Sequence, residues 1–319
     1  MNRLTQVRFT NLQKILYPQL RISKKDVIEY YIRVAPRMLP FLHDRPMVMH
    51  RYPNGVGGKE FYEKDAPEYV PGFVDTFTRY SKSSDRDVHF VMCNSLDALL
   101  WVANLASIEM HITLSTASAY DEPDLIFIDL DPGPQVRYDE IIEVVHYIRD
   151  RLQELGLIPY VKTSGKRGLH IVAPIRQAGS FEETRRIAHD IGRSAAAAIP
   201  NVVSDLSQAK SPRAIFVDYL QNAQGKTMAA PYSLRGTQGC TVSAPLTWDE
   251  LVPGLNPEHF NIRTILPRSD DPWRGILEHR KAIQRGTYGK GKYGKTLPGA
   301  GAGNGAGRPR RGSQKGRQN

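Results

Sequence analysis

The chain has 319 residues, enough to bury one large core or two lobes, and carries 43 Lys and Arg against 33 Asp and Glu, a formal net charge of +10. No apolar run is long enough to span a membrane, and the opening Met-Asn-Arg-Leu-Thr-Gln-Val-Arg lacks the apolar segment of a signal peptide. The two cysteines, Cys93 and Cys240, exclude a disulfide framework and have no partner at zinc-site spacing, so the chain reads as cytoplasmic and reduced.

In chain order, residues 23–42 read as a helix with Ser23 as N-cap and Val27, Ile28, Tyr31, Val34, Ala35 and Met38 on one face. Residues 46–52 read as a strand ending at Pro53-Asn54-Gly55, and 73–92 as a hairpin with a polar tip over 81–86. A helix is expected over 96–105 and an apolar strand over 108–114. Leu125 to Leu130 form a strand bounded by Pro123 and by the turn Pro132-Gly133-Pro134. Helices over 138–155 and 181–198 flank a glycine loop, and 214–220 is a further apolar strand. Interspersed strands and helices, with no internal repeat or second core, give an α/β fold. After Glu278 come 11 basic residues and no acid, whereas residues 1–278 carry 32 basic and 33 acidic side chains. The positive charge therefore belongs to the end of the chain, where 289–319 is Gly-, Lys- and Arg-rich and is expected to be disordered.

Chemistry concentrates in Asp-Leu-Ile-Phe-Ile-Asp-Leu-Asp, residues 124–131. Asp129 and Asp131, two apart on a strand, point to one face. Paired there they repel and lose hydration, penalties that a hard divalent cation removes. Two solvated turn acids would give the same spacing. Further on, Ser164-Gly165-Lys166-Arg167-Gly168-Leu169-His170 offers glycines that let backbone N–H groups approach an anion, with basic and hydroxyl donors beside them. An ordinary hairpin turn would also look like this. Asp218 is a lone acid in the strand Ala214–Leu220, a setting usual for a structural carboxylate. Together, three carboxylates on two strands with a basic glycine loop between them is the layout that two-metal phosphoryl transfer needs.

The order of DxD, SGxxGLH and a strand aspartate resembles the archaeo-eukaryotic primase superfamily and, within it, the polymerase domain of bacterial ligase D and its stand-alone relatives. The resemblance also takes in Lys14-Ile15-Leu16-Tyr17-Pro18, Arg51-Tyr52-Pro53-Asn54-Gly55, Phe61-Tyr62-Glu63-Lys64, Ile108-Glu109-Met110-His111, Ala230 to Arg235 and Pro245 to Glu250, and covers residues 5–275. It implies a primase–polymerase domain over 1–278 with a central mixed or antiparallel sheet. Residues 1–110 would form an N-terminal subdomain carrying DNA contacts, and 111–278 the catalytic part.

By the same resemblance, Asp129, Asp131 and Asp218 hold two Mg2+ or Mn2+ ions. His111, Ser164, Arg167, His170, Gln221 and Arg235 bind an NTP or dNTP, with Gln221 near the sugar. Arg167 stands where the family often has lysine. Lys14 and Lys24 match a pair that grips a downstream 5′-phosphate. Phe61 and Tyr62 match an aromatic pair near the template, and Arg51 a DNA contact. Arg79, Lys82 and Arg86 fall on a loop suited to joining a second DNA end. The implied function is templated gap filling and end extension in non-homologous end joining, on gapped, overhanging or broken DNA, with ready use of ribonucleotides. A primase or general repair primase–polymerase, or a non-catalytic end-bridging protein, are the alternatives. The tail after 275 is too short and too poor in apolar residues for a ligase or nuclease domain, so the resemblance implies a separate ligase and a Ku-like partner, with the protein cytoplasmic and nucleoid-associated.

Overall fold

The computed structural model describes residues 5–81, 85–176 and 179–284; Lys82 and the basic stretch 289–319 lie outside them. A small hairpin, β1 (Ile15–Tyr17) and β2 (Ile22–Ser23), leads into helix α1 (Lys24–Leu42). Ser23 caps α1: its hydroxyl accepts from Asp26 N at 3.3 Å while the Asp26 carboxylate accepts from Ser23 N at 2.7 Å. The expected apolar face of α1 is buried and packs on α2 (Leu96–Asn104).

The strands segregate into two six-stranded sheets, an N-terminal one and the expected mixed sheet. The first contains β3 (Pro46–Arg51), β4 (Phe61–Glu63), β5 (Thr76–Ser81), β6 (Arg86–Met92) and β7 (Ser107–Thr113). The second contains β8 (Leu125–Pro132), β9 (Tyr160–Thr163), β10 (Leu169–Pro174), β11 (Val202–Val203) and β12 (Ile215–Asp218), with α3 (Tyr138–Glu154) and α4 (Phe181–Ala198) inserted between its strands. The chain then returns once to each: β13 (Thr227–Ala229) pairs with β7, and β14 (Pro245–Leu246) with β9. The orders are β13-β7-β3-β6-β5, with β4 also on β3, and β11-β12-β8-β10-β9-β14. Only β11–β12 is parallel among the named strand pairs, so the second sheet is mixed.

Each sheet has its own core, which corrects the expectation of a single one. The second core follows from strand alternation. Ile126, Ile128 and Leu130 of β8, Leu169 and Ile171 of β10, and Ile215 and Val217 of β12 bury against Ile141, Val145 and Ile148 of α3 and Ile187 and Ile191 of α4. The alternate residues, among them Phe127, Asp129, Asp131, Lys162, His170 and Asp218, therefore occupy the face without helices. Strand β8 also runs further than expected: Pro132 pairs with Ile215 and Gly133 N bonds Ala214 O at 2.8 Å, so the anticipated turn starts later and both aspartates lie within the ladder. At its other end, buried Asp124 accepts a bidentate pair from Arg45 at 2.8 and 2.6 Å and one bond from Arg280 at 2.6 Å, which ties the two sheets together.

Candidate active site

Strand register builds the centre of the site. Asp129 pairs directly with Asp218 on β12 and with His170 on β10, and His170 pairs with Lys162 on β9. Directly opposed residues share a face, so Asp218, Asp129, His170 and Lys162 form one row across four strands. Asp131, two residues on, joins the same face. The row opens into a cleft of about 660 Å³ lined by Asp129, Asp131, Ser164, Lys166, His170 and Arg235, among others.

The three carboxylates are poorly neutralised. Burial raises Asp129 to about 6 against the opposing pull of Lys162 and Arg235. Desolvation, and then the charges of Asp129 and Asp218, push Asp131 to about 7. Burial also raises Asp218, which is held in place by Leu220 N at 2.7 Å and Gln221 Nε2 at 3.0 Å. Asp129 Oδ1 is buried and accepts no well-formed hydrogen bond; His170 Nε2 stands 3.2 Å from it. An oxygen-only donor set with an orphaned buried oxygen fits a hard divalent cation.

The glycine loop packs onto this row. A Cβ at Gly168 would run into the Leu130 carbonyl, between the two aspartates, and one at Gly165, whose φ is +71°, would lie 2.5 Å from Arg235 Cγ. One expectation is corrected here. The N–H groups of Lys166 and Gly168 do not face outward but donate to Ser164 Oγ, both at 3.1 Å. Both lone pairs of that oxygen are thereby taken, which leaves its proton as the donor. The exposed Lys166 and Arg167 side chains provide the loop's charge, and Arg167 Nη2 rests on Gly133 O at 3.0 Å.

Arg235 is held from below by a residue that the sequence reading did not single out as functional. Glu109 is fully buried. Its Oε1 accepts from Tyr52 Oη at 3.0 Å and Gly236 N at 2.9 Å; its Oε2 is 3.0 Å from both Arg235 Nε and His111 Nε2. Burial alone would raise this carboxyl, but His111, His50 and Arg235 outweigh it and hold it far below the usual range. Arg235 also bonds the Ser164 carbonyl, linking this cluster to the loop. Among the described residues, His50, Glu109 and His111 form the group of three metal-ligand types with atoms within 4.8 Å of one another. Glu109 already meets four donors, one a guanidinium, so the arrangement serves as a clamp on Arg235 better than as an ion cage.

Lys162, His50 and Asn222 were missed as well. Asn222 is buried and bonds the β8 backbone at Phe127, fixing the turn that presents Gln221. The available signals were Glu109 two residues before His111 on one strand face, and a lysine between Val161 and Thr163. Each is a charged residue next to apolar neighbours in a predicted strand.

The remaining sequence-predicted residues fall into three groups. Tyr62 is 60 % exposed, lines the cleft and stacks on His50 at 3.9 Å. Phe61, its neighbour on β4, turns the other way towards Arg51, whose guanidinium lies 5.4 Å from the ring. The two aromatics thus do not act as a pair on one face. Arg51 is itself tied down by Glu63 at 2.8 Å and Leu105 O at 3.0 Å. Lys14 is exposed near Asn54, whereas Lys24 is buried with Nζ 2.7 Å from Thr10 O. Burial, and then the charges of Lys14 and Arg51, lower Lys24 to about 8, and Lys24 N bonds Lys14 O at 2.8 Å. On the hairpin, Arg79 is paired with Asp121 at 2.7 Å and Arg86 with Asp65, so neither is an uncommitted charge.

The sequence model of the LigD primase–polymerase domain matches residues 23–273. The chain is 33 % identical over 265 residues to the bifunctional non-homologous end joining protein LigD of Bacillus subtilis (strain 168), covering 82 % of this chain and 42 % of that protein. It is 35 % identical over 277 residues to the multifunctional non-homologous end joining protein LigD of Mycolicibacterium smegmatis, covering 85 % and 36 % respectively. It therefore spans less than half the length of these relatives. Among solved structures, the polymerase domain from Mycobacterium tuberculosis ligase D in complex with DNA superposes with a TM-score of 0.79 at 30 % identity, covering 86 % of this chain and 99 % of that one. No helix among the described residues is long and apolar enough to cross a membrane.

Proposed function

Since the chain belongs to the LigD primase–polymerase domain family, a family of nucleotidyltransferases, we propose that it performs templated nucleotidyl transfer in non-homologous end joining. It fills gaps and extends ends, takes ribonucleotides readily, and holds a downstream 5′-phosphate. The observation that carries this reading is the register-locked row of Asp218 and Asp129, with Asp131 beside it, and the one cleft that Asp129 and Asp131 line together with Arg235, Ser164 and Lys166.

Two divalent cations, Mg2+ or Mn2+, held by Asp129, Asp131 and Asp218 supply Lewis acidity at the attacking 3′-hydroxyl and at the triphosphate. The chain's own residues supply position and charge. Ser164, Lys166, Arg167 and Arg235 line the side of the cleft that takes the triphosphate. His111 and His170 bound it, and Gln221, steadied by Asp218, stands towards the sugar. Arg235 is pre-oriented by Glu109 and Ser164, so its charge meets the nucleotide without reorganisation. Tyr62 offers a stacking surface for a base at the cleft mouth, and the Lys14, Lys24 and Arg51 cluster takes the 5′-phosphate. DNA with gaps or broken ends is the substrate, and a ligase and a Ku-like end-binding protein are the partners in joining.

The test is primer extension on a short gapped duplex with Mn2+, comparing ribonucleotides with deoxyribonucleotides and a 5′-phosphate with a 5′-hydroxyl downstream. Templated filling stimulated by the phosphate supports the proposal. Extension indifferent to the phosphate removes the end-joining assignment in favour of a primase or general repair role. Absence of metal-dependent extension, with binding to phosphorylated ends retained, leaves only a bridging protein.

A further inference from the structure

We propose that Lys162 is a positioning residue that fixes the tautomer of His170 and, through it, the orientation of Asp129. The inference rests on the reading of the Asp129 row as the catalytic centre. Lys162 has no exposed surface, and its Nζ partners are His170 Nδ1 at 2.5 Å and Ser243 Oγ at 2.6 Å, neither of them an anion. A lysine buried without a carboxylate partner is costly in an apolar strand, and the reaction assigned above gives it no task.

The hydrogen bonds run in one direction. Ser243 Oγ donates to Thr163 O at 3.0 Å, so it receives its bond from Lys162. At the far end His170 Nε2 lies 3.2 Å from Asp129 Oδ1. A lysine ammonium only donates, so Nδ1 is the acceptor and the ring proton belongs on Nε2, on the side of the carboxylate. Nδ1 is then a bare lone pair, and the adjacent Lys162 is its donor. The register places Lys162, His170 and Asp129 directly abreast on β9, β10 and β8. Nε2–H then faces Asp129 Oδ1 without closing a well-formed hydrogen bond, so it orients the carboxylate while that oxygen stays open to a cation. Lys162 thus acts two side chains away from the reacting atoms, in the manner of an outer partner that orients a ligand.

Long-range 1H–15N NMR of the full, metal-free chain reads the tautomer directly, with His170 assigned by comparison with His170→Gln. The wild type is expected to carry its proton on Nε2. Lys162→Met, of similar length but without a donor, is expected to populate the Nδ1–H form. It should also weaken Mn2+ binding, followed by electron paramagnetic resonance without nucleotide, about ten- to hundredfold. An Nδ1–H or doubly protonated ring in the wild type overturns the proposal, and that measurement needs no variant to fold. Lys162→Met with wild-type tautomer and wild-type Mn2+ affinity overturns it too. If instead Asp129→Asn binds Mn2+ as well as the wild type, the metal reading is the one that fails, and the tautomer still decides the role of Lys162.

Discussion

Two acidic sites lie on either side of Arg235, one from each sheet, and they are built in opposite ways. Glu109 on β7 meets four donors, and its carboxyl is held far below the ordinary range. Asp129 on β8 is more open, yet its Oδ1 is buried and accepts no well-formed hydrogen bond, and its carboxyl is raised to about 6. Both lie near Arg235, so proximity to a cation does not separate them. Completion does: a carboxylate whose lone pairs are all used fixes its neighbours, whereas one left short retains the capacity to bind something from outside.

Neutralising each acid in turn gives the sharpest separation. Asp129→Asn is expected to abolish extension while raising the thermal midpoint of the metal-free protein, because it removes a charge that the fold disfavours; calorimetry beside the gap-filling assay reads both. Glu109→Gln should do the reverse to stability. It leaves Arg235 buried without its anion, and urea unfolding should show a loss of about 3–5 kcal/mol. If the two variants moved stability in the same direction, the contrast between the sites would collapse.

A pH series tests the same contrast without mutation. Unfolded aspartates titrate near 3.9, roughly the model-peptide value. In the folded chain Asp129 and Asp131 do so at about 6 and about 7. Between these limits the folded state holds more protons, so metal-free stability falls as pH rises through that window. Saturating Mn2+ should recover the lost thermal midpoint at pH 8 and do little at pH 5.

The smallest effect is expected at the cationic cluster, where Lys24 is the enclosed, destabilised member. Its charge is present below about 8 and lost above it. The advantage of a 5′-phosphate over a 5′-hydroxyl should therefore decline as pH passes that value, and Lys14→Ala with Lys24→Ala should abolish the advantage while basal extension persists. An advantage that stays level from pH 7 to 9 would detach Lys24 from the phosphate.

The carboxylate row was legible only in part from local rules. Spacing of two put Asp129 and Asp131 on one face, whereas Asp218 by itself looked like an ordinary strand acid and was joined to them by the three-carboxylate layout and the family resemblance. Likewise the Ser23 cap and the 181–198 helix stand where the pattern put them. What did not show was set by pairing across the chain. Two sheets cannot be told from one when β13 and β14, of three and two residues, decide membership by pairing with strands far earlier in the sequence. Glu109 and Lys162 look alike in sequence, each a charged residue inside a short strand. Only their partners reveal that one clamps an arginine and the other abuts a histidine.

The loop glycines carry a consequence for substrate choice. One end of that five-residue turn is pressed on the carbonyl between the acids and the other on Arg235, with no clearance for a methyl group at either contact. If the loop takes the triphosphate as proposed, it works as a caliper set in advance and gauges a nucleotide from its phosphate end. On the same proposal the sugar lies towards Gln221, which with Lys226 borders the cleft away from those contacts. Sugar preference and phosphate grip are in that sense separate adjustments, one free to drift while the other stays fixed.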